Sequence, residues 1–399
     1  MNKYLICIFI FLTIISNLVG QTIYDTTYNK IQNIFQNQNW QKFALKMQNL
    51  NSTTNNEVQI VHLGDSHIQG GYFTNEVRKL LSQKYGTISR GWVFPYNLAH
   101  SNGPDDISIK STSVWTGLKY NHNHNTEYTN ISGYNLESTD STIKMSVFLK
   151  NESKILYPFT SITFFHNDPL LIIDSPFNPQ VITNKEADDF YMTKISYKEL
   201  HDSIPLVLNT HKNISNPFSL TGLNLLNKNA ALTYHSIGIN GMAYITYEKA
   251  IDYKTSIGIL NPDCIIISLG TNDAFMQVRD TAQLKQLITS IIANIYKVNP
   301  SCCIILTTAG DHLKNRKTVN PFLIKINESI IAVAIKQHCV YWDFFKVMGG
   351  LGSSYIWKKN DYLFRDFVHL SKEGYKLQGK LFFEALNNAI MQTKPHGMD

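Results

Sequence analysis

Five short, nearly unbroken apolar runs, at residues 58–63, 232–237, 263–269, 302–308 and 339–342, constrain the fold of this chain more than any other feature. The first is β-branched, ends in Gly64 and leads into a helix-compatible segment through Leu81, so it reads as strand, tight turn and helix. Helical patterns follow later runs, at 281–298, 321–337 and 371–391. Continuous apolar strands alternating with amphipathic helices predict a parallel sheet covered on both faces, because such strands have no polar side to turn to water.

The pattern breaks between residues 103 and 227. Helical periodicity fades there, and short alternating runs appear at 143–148, 161–165, 170–173, 191–197 and 205–208, separated by Asn, Asp, Ser and Pro. That spacing predicts a β-sandwich or jelly roll inserted into the α/β fold, which resumes at residue 232. Upstream, Ile31, Ile34, Phe35, Trp40, Phe43, Ala44, Met47 and Leu50 recur at intervals near three and four. They predict an amphipathic helix within 25–50, and the Asn/Ser/Thr stretch 51–56 reads as a linker. The expected division is a signal peptide at 1–20, a helical segment and linker at 21–56, the α/β unit at 57–102 and 228–393, and the insertion at 103–227.

Composition narrows the function. With 43% hydrophobic and 17% charged residues among 399, the chain can bury a sizeable core. Thirty-six Lys and Arg against 30 Asp and Glu give +6 without a dense basic stripe, which disfavours nucleic acid as a partner. Five cysteines with no CxxC pattern exclude a disulfide-built scaffold and leave no structural zinc motif. Lys3 precedes an apolar run at 5–15 broken only by Thr13; this is too short to span a bilayer but fits the core of an export signal ending near Gly20. The alternative is an uncleaved N-terminal anchor. Cys7 lies inside the run rather than after it, which argues against lipid attachment. Without residues 1–20 the charge becomes 35 − 30 = +5. No later apolar stretch is long enough to span a membrane, so the chain is expected to be exported, periplasmic or associated with the cell envelope.

In an open parallel sheet ligands gather beyond the carboxyl ends of the strands. Gly64-Asp65-Ser66-His67 follows the first strand, Gly238-Ile239-Asn240-Gly241 the second and Gly270-Thr271-Asn272-Asp273 the third; Asp366-Phe367-Val368-His369 precedes the last helix. Each alone reads more readily as turn or capping chemistry, or as a surface pair, than as a site. Together they hold the parts of a serine hydrolase. Ser66 is the candidate nucleophile, His369 the base within reach of its hydroxyl, and Asp366 the carboxylate holding the other imidazole nitrogen. The Ser66 N–H, the Gly241 N–H and the Asn272 side-chain amide are candidate oxyanion donors. No metal or organic cofactor is required.

With these motifs the chain resembles the SGNH (GDSL-like) hydrolases, whose four signature residues match Ser66, Gly241, Asn272 and His369, with Asp366 completing the triad. Within that superfamily it looks most like bacterial peptidoglycan O-acetylesterases, through Gly64–His67 running into Phe73, Thr74 and Arg78, and through Gly91-Trp92-Val93-Phe94-Pro95. The resemblance implies a three-layer α/β/α fold around a five-stranded parallel sheet, with a carbohydrate-binding-like β module inserted between the first and second motifs. It also implies an exported esterase that removes O-acetyl groups from a polysaccharide, peptidoglycan foremost, through an acyl-enzyme. The alternatives are an O-acetyltransferase acting on a cell-envelope glycan, a non-catalytic carbohydrate-binding protein with a relic hydrolase domain, and a lipase or thioesterase on the same fold.

Several residues carry two readings. His67 stands where better-known members have leucine; it either fits the O-acetylesterase branch of the resemblance or is a spectator. Gly238 competes with Gly241 for the oxyanion role. Asp273 is given a structural role. Cys264, Cys302, Cys303 and Cys339 lie near strand beginnings; the resemblance would place those strands side by side, so a disulfide stays open, but small buried hydrophobes are favoured. His122 and His124, in an Asn-rich loop without a carboxylate pair, make a weak metal site. Trp92, Phe94 and Tyr96 are a sugar-stacking platform or core. Ser371 is the expected N-cap of the last helix, which would anchor the Asp366–His369 loop.

Overall fold

The computed structural model describes residues 23–35, 37–50, 57–120, 130–250 and 257–394. The expected signal segment, the 51–56 linker and the histidine pair His122 and His124 lie outside the described residues.

A central mixed sheet of seven strands organises the α/β part. From edge to edge it runs Ile31–Gln32, Val340–Trp342, Cys303–Thr307, Cys264–Ser268, Val58–Gly64, Leu232–Gly238 and Ile88–Ser89. The sheet is thus larger than the five strands expected. The five apolar runs pair parallel to one another, while the two-residue strand Ile31–Gln32 adds antiparallel on one edge and Ile88–Ser89 adds parallel on the other. Both additions are too short to show a strand period in the sequence.

The helices form where their apolar stripes can be buried. Thr281–Val298 buries Leu284, Ile288, Ile291, Ile292 and Ile295, and Asp280 caps it by accepting from the Gln283 N–H at 2.9 Å. Two helix expectations need correction. The segment after Gly64 splits into Ser66–Gln69 and Tyr72–Tyr85, broken at Gly70-Gly71, where Gly71 has φ of 79°. Among the described residues of 25–50 the α-helix covers Gln38–Gln48, with a single 3-10 turn at Thr26–Tyr28. Asn37 caps that helix, and the residues before it form the edge strand, leaving Phe35 84% exposed.

Residues 107–226 supply two antiparallel sheets. One has the order Ile172–Asp174, Ser203–Asn209, Thr142–Leu149 and Ile107–Ser111. The other runs Gln180–Ala187, Phe190–His201, Phe159–His166, Phe218–Leu226, Tyr134–Ser138 and Thr116–Lys119, with Gly91–Val93 also pairing to Phe218–Leu226. Strict alternation places Ile143, Met145, Val147 and Leu149 of one strand, and Ile204, Leu206 and Leu208 of its neighbour, on the buried face.

Trp92, Phe94 and Tyr96 are all at most 5% exposed, which removes them as a sugar-stacking platform. They are core: the Trp92 ring packs on Phe165, and the Tyr96 hydroxyl donates to the Gly238 carbonyl at 2.7 Å. Cys264, Cys302, Cys303 and Cys339 are buried free thiols, so the disulfide option is not taken up. Among the described residues no helix is long and apolar enough to cross a membrane.

Candidate active site

Three strands of the central sheet end in register. Gly238 pairs with Gly64, and Ser268 pairs with Gly64 from the other side, so the turns that follow emerge together at the carboxyl edge. This is why motifs about 175 and 205 residues apart meet; the fourth arrives on the loop before the final helix, Lys372–Gln392. Ser371 caps that helix by accepting from the Gly374 N–H at 3.1 Å.

At this edge the Ser66 Oγ lies 2.8 Å from His369 Nε2, and His369 Nδ1 lies 2.7 Å from Asp366 Oδ2. The other Asp366 oxygen accepts from the backbone N–H groups of Val368 and His369, at 2.9 and 3.0 Å, folding the loop so that the histidine turns back on its own aspartate. Phe367, at φ of 63°, makes the bend. Nδ1–H donating to Asp366 leaves Nε2 unprotonated and able to accept the serine proton. Both loop side chains are about one-third exposed, so the pair opens to solvent.

Burial pushes the Asp366 carboxyl up, but the hydrogen bonds from His369 and from the two backbone groups outweigh it and hold the group below the usual carboxylate range. The Asp366 bond in turn raises His369 above the ordinary histidine value, against the opposing effect of burial. A base must be unprotonated to act. Activity on a soluble acetyl ester is therefore expected to fall as pH drops through the raised His369 pKa, with its acid limb above the ordinary value of about 6.5. Asp366→Asn removes the largest cause of the shift and should move that limb to lower pH; a limb that stays in place would show that His369 does not set it.

The oxyanion candidates stand differently. Gly241 has φ of 75° and open space where a Cβ would stand, so its backbone can be approached closely. Gly238 is packed tight: a Cβ there would collide with the Gln69 backbone and lie 2.7 Å from the Asp65 carbonyl oxygen. Of the two glycines only Gly241 has free space facing it. The Asn272 amide nitrogen donates to the Met242 carbonyl at 2.9 Å and to Asp65 Oδ2 at 3.2 Å. Both of its hydrogens are therefore engaged, the bond to Asp65 being the longer.

Asp65 is buried, and burial pushes its carboxyl up to about 7 against the bonds it accepts from His67 N–H and Asn272. It thereby ties the serine turn to the asparagine turn. Asp273 is likewise pushed up to about 7 by burial and receives the Tyr244 N–H on both oxygens, at 3.0 and 3.2 Å. It faces inward and braces the turn.

Two neighbours of the site carry no signal in the sequence. Gln69 Oε1 accepts from the Asn240 N–H at 2.7 Å while its Nε2 donates to Ser101 Oγ and the Asn102 carbonyl, pinning the glycine turn to a loop before the β-rich region. The Tyr375 hydroxyl lies 2.8 Å from His67 Nδ1. Their partners are up to 171 and 308 residues away, beyond any local pattern. No group of three or more metal-ligating side chains occurs among the described residues.

Residues 221–377 match the GDSL-like lipase/acylhydrolase family. The matched segment contains Gly241, Asn272, Asp366 and His369, while Ser66 lies before it. Among solved structures, one described as a peptidoglycan O-acetylesterase in action is similar at 21% identity and a TM-score of 0.70, over 88% of this chain and 96% of that one. A GDSL-like lipase from Bacteroides thetaiotaomicron is also 21% identical, with a TM-score of 0.31 over 39% of this chain and 76% of that one. No curated protein matches the chain.

Proposed function

We propose that this chain, a carboxylic ester hydrolase of the SGNH/GDSL superfamily, removes O-acetyl groups from a polysaccharide of the cell envelope, with peptidoglycan as the leading substrate. The observation that carries the reading is the hydrogen-bonded line from Ser66 through His369 to Asp366 beside turns holding Gly241 and Asn272. Ser66 Oγ attacks the acetyl carbonyl as His369 takes its proton; the oxyanion is met by the Ser66 and Gly241 N–H groups and the Asn272 amide; His369 then returns the proton to the departing sugar hydroxyl. Water deprotonated by His369 releases acetate and restores the serine.

Support for the glycan comes from the extent of likeness to the O-acetylesterase structure, which spans the β-rich region as well as the α/β part. We read residues 103–227 as an inserted module and residues 1–20 as an export signal, which would place the enzyme in the periplasm or cell envelope.

The test is acetate release from a panel of O-acetylated glycans including peptidoglycan and xylan, with Ser66→Ala protein as control. Release from peptidoglycan, lost in the control, is expected. Transfer of the acetyl group to a second glycan without free acetate would make the chain a transferase, and release from xylan alone would overturn the substrate.

A further inference from the structure

His67 follows the nucleophile on the short helix Ser66–Gln69, and its ring packs beside that of His369, with centroids 5.0 Å apart and planes inclined by 35°. Nothing in the triad uses it, yet both ring nitrogens are constrained. Nδ1 meets the Tyr375 hydroxyl at 2.8 Å. The Tyr375 hydroxyl can donate its proton to Nδ1, which then acts as the acceptor. Neutral imidazole then carries its own hydrogen on Nε2.

That second nitrogen is shut off from solvent with no protein group in reach. His67 lines a narrow cavity of ≈ 30 Å³ behind the triad, and so do Asp311 and Gln378. Asp311 Oδ1 and Gln378 Oε1 are also buried without a protein partner, whereas Asp311 Oδ2 already accepts from the Gly352 and Ser354 N–H groups at 3.0 and 2.8 Å. The side chains that carry this one donor and these two acceptors line the same small space. A space of this size holds about two water molecules, and polar atoms left bare there would lose the hydrogen bonds they make in water.

We propose that His67 is a positioning residue: fixed as the Nε2–H tautomer between the Tyr375 hydroxyl and water shared with Asp311 and Gln378, it is a rigid wall that restricts the tilt of His369. The inference rests on the reading of Ser66 and His369 as nucleophile and base. During turnover His369 must face first the serine oxygen and then the departing alcohol, and it sits on a loop, one-third exposed, where an unsupported ring would swing. A misplacement of about 1 Å can cost about 100-fold in rate. The wall must also stay uncharged, since a second cation would oppose imidazolium formation. Burial, His369 and His312 push His67 well below the ordinary histidine value, with only Asp366 acting the other way.

The experiment combines ¹⁵N NMR of the histidine side chains with kinetics on 4-nitrophenyl acetate, His67 being assigned from the His67→Gln spectrum. His67 is expected to show protonated Nε2 and bare Nδ1, and to stay neutral as the pH falls below the ordinary histidine value. Tyr375→Phe should lose the fixed tautomer and lower kcat about 10- to 100-fold at unchanged KM. His67→Phe, which keeps a flat ring, should retain more kcat than His67→Ala at matched thermal stability. A protonated Nδ1, a titrating His67, or wild-type kcat in His67→Ala would overturn the proposal. The wild-type tautomer decides the matter if a variant fails to fold. Turnover surviving in Ser66→Ala would instead strike the nucleophile reading and leave the tautomer result intact.

Discussion

Replacing His369 by alanine is expected to lower kcat on an acetyl ester by about a million-fold, and Ser66→Ala by a similar factor. As the proposed nucleophile and base the two would act as one unit, so the double variant should be no slower than either single one. The reason is visible in the 2.8 Å contact: without His369 the Ser66 proton has no acceptor, and without Ser66 the imidazole has nothing to activate. What residual turnover survives would come from the oxyanion donors and binding alone, roughly 10³ to 10⁴ over water. Thermal unfolding should be nearly unchanged, because both groups are partly exposed and neither anchors the core. Losses that multiply in the double variant would show that the two residues do not share one step.

A comparably large effect on stability is expected at Asp106. Its carboxylate receives Arg90 on both oxygens, at 2.6 and 3.1 Å, and stands 3.8 Å from Arg78. The two guanidinium side chains are 1% and 0% exposed. Burial pushes Asp106 up, but the Arg90 and Arg78 charges outweigh it and hold the carboxyl below its usual range. Arg78 is also bound to the Tyr234 carbonyl through Nε and Nη2, at 3.2 and 3.1 Å, and burial lowers it to about 10. Asp106→Ala would leave two buried cations without a counter-charge. Loss of one partner from such a cluster costs about 3–5 kcal/mol, which should appear as a lower urea midpoint. An unfolding free energy within about 0.5 kcal/mol of wild type would mean that the site relaxes and admits water.

The same cluster marks a limit of sequence reading. Arg78 stands out in the sequence only through the resemblance, and Arg90 and Asp106 carry no local signal, because a charge sixteen residues from its partner has no periodicity to betray it. Trp92, Phe94 and Tyr96 show the complementary failure: an aromatic run looks alike whether it faces a sugar or a core, and only the packing of Trp92 on Phe165 and of Tyr96 on Gly238 separates the two. In contrast, Thr281–Val298 was legible to the residue, since its apolar spacing and the Asp280 cap are local properties of the chain.

By itself the sequence determined the alternation of buried strands with one-faced helices, the change to period-two strands in the middle, and four short blocks bearing Ser66, Gly241, Asn272 and the Asp366/His369 pair. These are decided by hydrophobic period and turn chemistry over a few residues. Only the tertiary structure decided that the strand ends bring the blocks to one edge, that Gly241 rather than Gly238 has open space facing it, and that His67 lies between the Tyr375 hydroxyl and a small cavity. Those facts depend on register and on contacts between residues hundreds of positions apart, and such contacts are set by how the layers pack.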